Sequence, residues 1–287
     1  MILGGQATTL KRMTYGNMKE STLRVLAVSS GKGGVGKTNI VANLSYALSK
    51  RGKKVLVVDA DLGLNNIDIL LGLASKKHIG HVLSGESNVE EIILQGPEGI
   101  QVLPAGDGLQ ELTQLEPEKK MVLMDELDRI SRSYDFLIFD TGAGISPNVT
   151  FFCSAAHETF LVATTEPTSL TDVYALMKIL YNNHSQKHFR LLVNLVSSER
   201  EAQGVYHNLT AVTDRFLKDV AVEYLGYILH DPYVPKAIRQ QKAFLEIYPF
   251  SKFSGCVNDL AEKISNEKSK STERNQPYFW RSAFQAQ

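Results

Sequence analysis

The nine residues Ser30-Gly31-Lys32-Gly33-Gly34-Val35-Gly36-Lys37-Thr38 constrain this chain more than any other segment. They satisfy the spacing G-x-x-x-x-G-K-T, and their flanks suit it. Val25-Leu26-Ala27-Val28 reads as a strand before them, and Ile40, Val41, Leu44, Ala47 and Leu48 fall on one face of a helix after them. The glycines let successive backbone N–H groups turn inward, and the positive end of the helix adds to the same field. The pattern therefore predicts that Gly31, Lys32, Gly33, Gly34, Val35, Gly36, Lys37 and Thr38 form a cradle for phosphate oxygens. Lys37 would reach the terminal phosphates, and the Thr38 hydroxyl would take one position on a magnesium ion.

The rest of the chain repeats the strand–helix alternation. Strand-like runs are Arg24–Ser30, Lys54–Asp59, Ile100–Pro104, Phe136–Asp140, Thr159–Ala163, Arg190–Leu195 and Val222–Leu229. Helical patterns lie around Thr38–Lys50, Glu118–Ser131, Pro147–Ala156, Leu170–Asn182 and Thr210–Val220. Several strands are apolar throughout, as expected when helices cover both faces of a parallel sheet. The fold class is α/β: one doubly wound, mostly parallel sheet flanked by helices, over residues 23–265. Residues 1–22 and 266–287 read as segments outside it, for docking or for membrane contact.

Charge and cysteine usage exclude some functions. Lysine plus arginine equals aspartate plus glutamate at 31 each, so the overall charge does not point to nucleic acid. Two cysteines, Cys153 and Cys256, are too few for a disulfide framework or a zinc site, and a reducing cytoplasm fits. Cys153 sits in an apolar helical stretch and reads as a core thiol.

Two further segments end in carboxylates. Asp59 and Asp61 stand at i and i+2 where the second strand ends, so both point the same way, toward the edge where open α/β sheets take their ligands. Such groups hold metal-bound water or orient an attacking water. Phe136-Leu137-Ile138-Phe139-Asp140 places a third carboxylate at a strand tip, before the glycine-rich Thr141-Gly142-Ala143-Gly144. Asn194 ends a later strand with an amide that both donates and accepts, suited to a base edge or to capping a turn.

With Lys32, the loop reads K-G-G-x-G-K-T, and with Asp59-Ala60-Asp61 and Asp140 following in order it resembles the deviant Walker A ATPases of the ParA/MinD family. The resemblance runs from about Leu23 to Ile264. It implies a MinD-like P-loop NTPase that binds ATP and ADP with Mg²⁺ and hydrolyses ATP as an ATP-dependent homodimer. In that family the early lysine, here Lys32, reaches the partner's nucleotide. Asp61 would position the hydrolytic water, Asp59 and Asp140 would support magnesium from outside its inner ligands, and Asn194 would meet adenine.

Within the family, Leu62–Asp68 and Glu166–Lys178 are similar to segments of the FlhG/FleN flagellar regulators. In the second of these, Ser169 or Thr171 is expected to cap a helix. Gln6-Ala7-Thr8-Thr9-Leu10-Lys11 resembles their N-terminal motif, which implies activation of a flagellar GTPase (FlhF) through Gln6, Leu10 and Lys11. Gly5 and Lys11 replace the usual aspartate and arginine. A flagellar transcription activator or switch protein is the other implied partner. Tyr278–Phe284 carries Trp280 and Phe284 on one face, suited to a membrane surface or to the chain's own body. The implied place is the cytoplasm, with attachment at the inner membrane face or cell pole. The alternative is a MinD- or ParA-type ATPase positioning a septum or DNA.

Overall fold

The computed structural model describes residues 23–62, 66–106 and 115–267. Gln6, Leu10, Lys11 and the segment Tyr278–Phe284 lie outside the described residues.

Eight strands form one sheet: β1 (Arg24–Ser30), β2 (Val55–Ala60), β3 (Leu94–Gln95), β4 (Gln101–Leu103), β5 (Phe136–Ala143), β6 (Glu158–Ala163), β7 (His188–Val196) and β8 (Ala221–Leu229). Their spatial order is β3-β4-β2-β5-β1-β6-β7-β8. Every pairing is parallel except that of β3 with β4. Six longer helices cover the sheet: α1 (Lys37–Lys50), α2 (Pro117–Ser131), α3 (Pro147–Ala155), α4 (Pro167–His184), α5 (Glu199–Phe216) and α6 (Lys252–Asn266).

Strand alternation builds a core on each side. In β1, Val25 and Ala27 enter one cluster, and Leu26 and Val28 enter the other. The first cluster packs on α2 to α5 through residues such as Leu127, Phe152, Leu176 and Leu209. The second packs on α1 and α6 through Ile40, Leu44, Phe253, Val257 and Ile264. Both faces of the sheet are thus dry, which is why its strands carry no polar alternation.

Several elements differ from the sequence reading. Helix α5 spans Glu199–Phe216 rather than starting near Thr210, because Ala202, Val205, Leu209 and Thr213 line one buried stripe among charged neighbours. The chain turns at Leu217–Val220, where the expected helix end would lie. Helix α6 has no counterpart among the helical patterns of the sequence. Its Phe253, Val257, Leu260 and Ile264 face the core at helical spacing, but polar residues dilute the pattern. Neither Ser169 nor Thr171 caps α4, because Pro167 starts the helix early and Glu166 takes the cap position. The Ser169 hydroxyl instead accepts from the Thr164 N–H at 3.0 Å.

Candidate nucleotide site

The phosphate loop leaves the central strand β1 and enters α1 through Gly36, whose φ of +91° only glycine adopts without strain. Lys37 is buried, and its ammonium donates to the Ser30 hydroxyl at 2.9 Å. That hydroxyl donates in turn to the Lys32 carbonyl at 2.6 Å, closing the loop on itself. Burial lowers the Lys37 pKa, while the nearby Asp140 and Asp61 carboxylates hold it up.

Strand order brings the acids together. β2 pairs with β5 so that Asp59 lies directly beside Asp140. Asp59 is fully enclosed, and its two oxygens accept from the backbone N–H groups of Asp61 (3.2 Å), Asn66 (3.0 Å) and Ile67 (3.4 Å). It therefore ties down the turn that follows β2. Burial and the Asp140 charge raise its pKa well above the usual carboxylate range, against those hydrogen bonds. Asp61 is less enclosed, and its Oδ2 accepts from the Asn66 amide at 3.3 Å. A Cβ on Gly142 would stand 3.0 Å from the Asp61 Oδ1, so glycine at that position lets the end of β5 lie against this carboxylate. Burial raises the Asp61 pKa, with Lys37 and Asn66 pulling it down.

Asp140 is buried with neither oxygen in a well-formed hydrogen bond. Burial pushes its pKa up to about 7, while the Thr38 hydroxyl and the Lys37 charge pull against that. An orphaned buried carboxylate next to a threonine hydroxyl fits a divalent cation and its water shell. Among the described residues no three or more His, Cys, Asp or Glu side chains cluster as a metal site. Gly144 closes this side: its N–H donates to the Ser30 carbonyl at 2.9 Å.

Asn194 is buried at the end of β7, and its Nδ2 donates to the Val35 carbonyl at 2.8 Å. Its Oδ1 is buried and unpartnered. A Cβ on Gly36 would come within 2.5 Å of Nδ2, so Gly36 serves this contact as well as the turn. A cleft of about 870 Å³ lies past the ends of β7 and β8, lined by those ends and by residues 247–252, with Tyr233, Tyr248 and Phe250 among its walls and neither Asn194 nor the loop in its lining.

Sequence reasoning missed the partners supplied by the start of α4. Lys32 pairs with the Glu166 carboxylate and donates to the Thr168 hydroxyl at 3.2 Å. The backbone of Asp172 lies so close to Gly31 that a Cβ there would meet it at 2.1 Å. The motif Glu166–Lys178 is thus also a wall of the phosphate loop. Its signal was its likeness to a family segment, with no spacing rule to link it to Lys32. Cys153 is a fully buried thiol whose pKa burial pushes up to about 12, as a core residue's should be.

A parallel doubly wound sheet with a lysine-rich phosphate loop at its central strand, facing carboxylates from two neighbouring strands, defines a P-loop nucleoside triphosphatase. A family model described as an AAA domain matches residues 23–193. The antiactivator FleN of Pseudomonas aeruginosa is 43% identical over 85% of this chain and 87% of its own length. The flagellum site-determining protein YlxH of Helicobacter pylori is 34% identical over 83% of this chain and 80% of its own. Among solved structures, the septum site-determining protein MinD with Mg-ADP from Pyrococcus horikoshii superposes with a TM-score of 0.71 at 27% identity, covering 85% of this chain and 96% of that one. The chain belongs to the MinD-like ATPases of the FlhG/FleN type. It is an ATPase with a site for nucleotide and Mg²⁺.

Proposed function

We propose that this chain is a nucleotide-driven switch that sets the number or placement of flagella, working as an ATP-dependent homodimer with its nucleotide edges face to face. The observation that carries the dimer is Lys32, which belongs to the phosphate loop yet is held by Glu166 and Thr168. A cation kept beside the cradle is available to a second copy. The exposed apolar residues Ile145, Leu195 and Tyr233 lie at or shortly beyond the carboxyl ends of β5, β7 and β8, and such a rim suits a second copy of this chain. Kinship with antiactivator FleN and with YlxH supports the flagellar assignment.

In this reading Lys37 neutralises terminal phosphate oxygens, and the backbone from Gly31 to Gly36 binds the others. The Thr38 hydroxyl would hold magnesium, with Asp140 and Asp59 supporting it. When bound, the ion supplies charge to stabilise the phosphoryl group in transfer. Asn66 occupies one oxygen of Asp61, which leaves the other to orient an attacking water. Asn194 spends one donor on Val35 and offers Oδ1 as an acceptor, which suits the exocyclic amine of adenine better than the keto oxygen of guanine. Gln6, Leu10 and Lys11 are assigned to an FlhF-like GTPase, and a flagellar transcription activator or switch protein is the regulated partner. The tail is assigned to the inner membrane face or the cell pole.

The test deletes the gene and counts flagella per cell, alongside gel filtration of purified Asp61→Ala protein with ATP. An altered count or position is expected, together with a dimer in ATP. An unchanged flagellar pattern sinks the flagellar role; an Asp61→Ala monomer in ATP sinks the dimer cycle.

A further inference from the structure

Two helix ends meet back to back beyond Asp61, and only one of them closes on glycine. The short helix Ile67–Leu70 ends through Gly72, whose φ is +67°. The Gly72 N–H donates to the Ile69 carbonyl at 3.1 Å and the Leu73 N–H to the Asp68 carbonyl at 2.8 Å, the pair of bonds that stops a helix at a left-handed residue. The helix Val234–Arg239 ends in the same way: the Gln241 N–H donates to Ile238 at 2.9 Å and the Lys242 N–H to Ala237 at 3.3 Å. Its left-handed residue, however, is Gln241, with a φ of +53° where glycine or asparagine is usual. The side chain accounts for the difference. Gln241 Nε2 donates to the Ile69 carbonyl at 3.1 Å, an end carbonyl of the other helix. A Cβ on Gly72 would stand 3.1 Å from the Gln241 carbonyl, so the two turns are in contact.

We propose that Gln241 is a positioning residue for ATP hydrolysis: it braces the helix Ile67–Leu70 from its far end, so that Asn66 at its near end holds Asp61 in place. The inference rests on the reading of Asp61 as the acid that orients the attacking water. At the near end, Asp59 accepts from the Asn66 and Ile67 N–H groups, and the Asn66 amide donates to Asp61. Gln241 is itself firmly seated. Ala243, Phe244 and Leu245 after it are buried, and the Leu245 N–H donates to the buried Asn43 of α1 at 3.0 Å. Ile67 and Leu70 pack on the second core cluster, but apolar packing has no direction and resists rotation of a single turn poorly. A hydrogen bond at the far end supplies that direction. Backbone strain held in place by one side-chain contact is the kind that gathers at functional sites.

Because position 241 favours glycine, Gln241→Gly removes the brace while easing the backbone. Its Tm should stay within about 3 °C of the parent's. Steady-state kinetics of the full chain, measured well below both melting points, should show kcat reduced about fivefold. KM for ATP should change less than about twofold, since the phosphate cradle is untouched. Asp61→Ala is the control and should abolish turnover. If it does, and Gln241→Gly keeps kcat within about twofold of the parent's, the brace is overturned while the role of Asp61 stands. If Asp61→Ala turns over at the parental rate, both are overturned. Should Gln241→Gly melt lower than expected, Gln241→Lys decides, because it keeps a donor of sufficient reach. A kcat restored to within about twofold sustains the proposal, and one left low overturns it.

Discussion

Asp140 is fully buried beside Asp59 and near Lys37, and burial lifts its pKa to about 7. Its folded pKa is therefore above its unfolded value near 3.8. Below the unfolded value the group is neutral in both states. As pH rises from about 4 to 7 the unfolded chain gives up the proton first, so stability falls across that window and levels off above it. Asp140→Asn removes the ionisable group while keeping the shape. We expect the variant to melt higher than the parent in the absence of nucleotide, with a gap of a few kcal/mol that widens between about pH 4 and pH 7. Its magnesium-dependent ATPase should fall at least about a hundredfold. Thermal melts across pH check the first part; a gap that narrows as pH rises would rule out this account. The sequence placed Asp140 at a strand tip but could not show that its oxygens lack partners, since that depends on what β2, the loop and α1 bring around it.

At the scale of elements, the junction between the phosphate loop and the first turn of α4 is the part of the site that sequence did not reveal. Gly31 packs on the Asp172 backbone, and Lys32 reaches Glu166 and Thr168 in the same turn. The ion pair is open to solvent, with side-chain exposures of 29% and 63%, so it adds at most about 1 kcal/mol to the fold. Glu166→Gln is therefore expected to leave Tm close to the parent's while freeing Lys32. In the proposed cycle, its ATP turnover should reach half-maximum at a lower protein concentration than the parent's. Turnover measured over a protein dilution series decides this, and an unchanged midpoint would show that Glu166 does not restrain Lys32. The helices were legible where apolar stripes were dense, as in α1 and α3. Helix α6 and the first part of α5 escaped because their buried stripes are diluted by charge and because α5 contains Gly204.

Across the whole molecule, the edge of the sheet opposite the nucleotide site is closed by an ion network built on two buried arginines, with Glu223 and Glu267 partly open to solvent. Arg24 on β1 binds Glu158 at 2.6 Å and the Ile264 carbonyl. Arg190 on β7 binds Glu158 at 3.0 Å, Glu223 at 2.8 Å and Glu267 at 2.7 Å. Glu267 follows α6, so the network pins the end of that helix under the sheet. Burial pushes the Glu267 pKa up, but the Arg190 hydrogen bond and the Arg190, Arg24 and Lys263 charges outweigh it and leave the pKa lowered. A lowered acid contributes stability above its unfolded pKa and loses it as pH falls through the folded one. Glu267→Ala removes one of three carboxylates on Arg190 while Glu158 and Glu223 remain, and we expect a loss of roughly 1–2 kcal/mol in urea unfolding at pH 7. That loss should shrink as pH falls below the unfolded value near 4.5 and on through the lowered folded one. A midpoint equal to the parent's at pH 7 would mean that α6 is held by its apolar face alone.

What the sequence determined by itself is local. Gly31 to Thr38 are legible as a glycine-rich loop entering a helix because glycines and a helix start suffice to mark one, and Asp59 is legible as a strand-end carboxylate because the apolar run before it is a strand. Unbroken apolar strands likewise announced a sheet covered on both faces. Tertiary structure decided everything that joins distant segments. Strand order set Asp59 beside Asp140, the start of α4 claimed Lys32, and the place of β7 beside the loop brought Asn194 onto Val35. These contacts depend on which strands and helices become neighbours, and no local spacing encodes that.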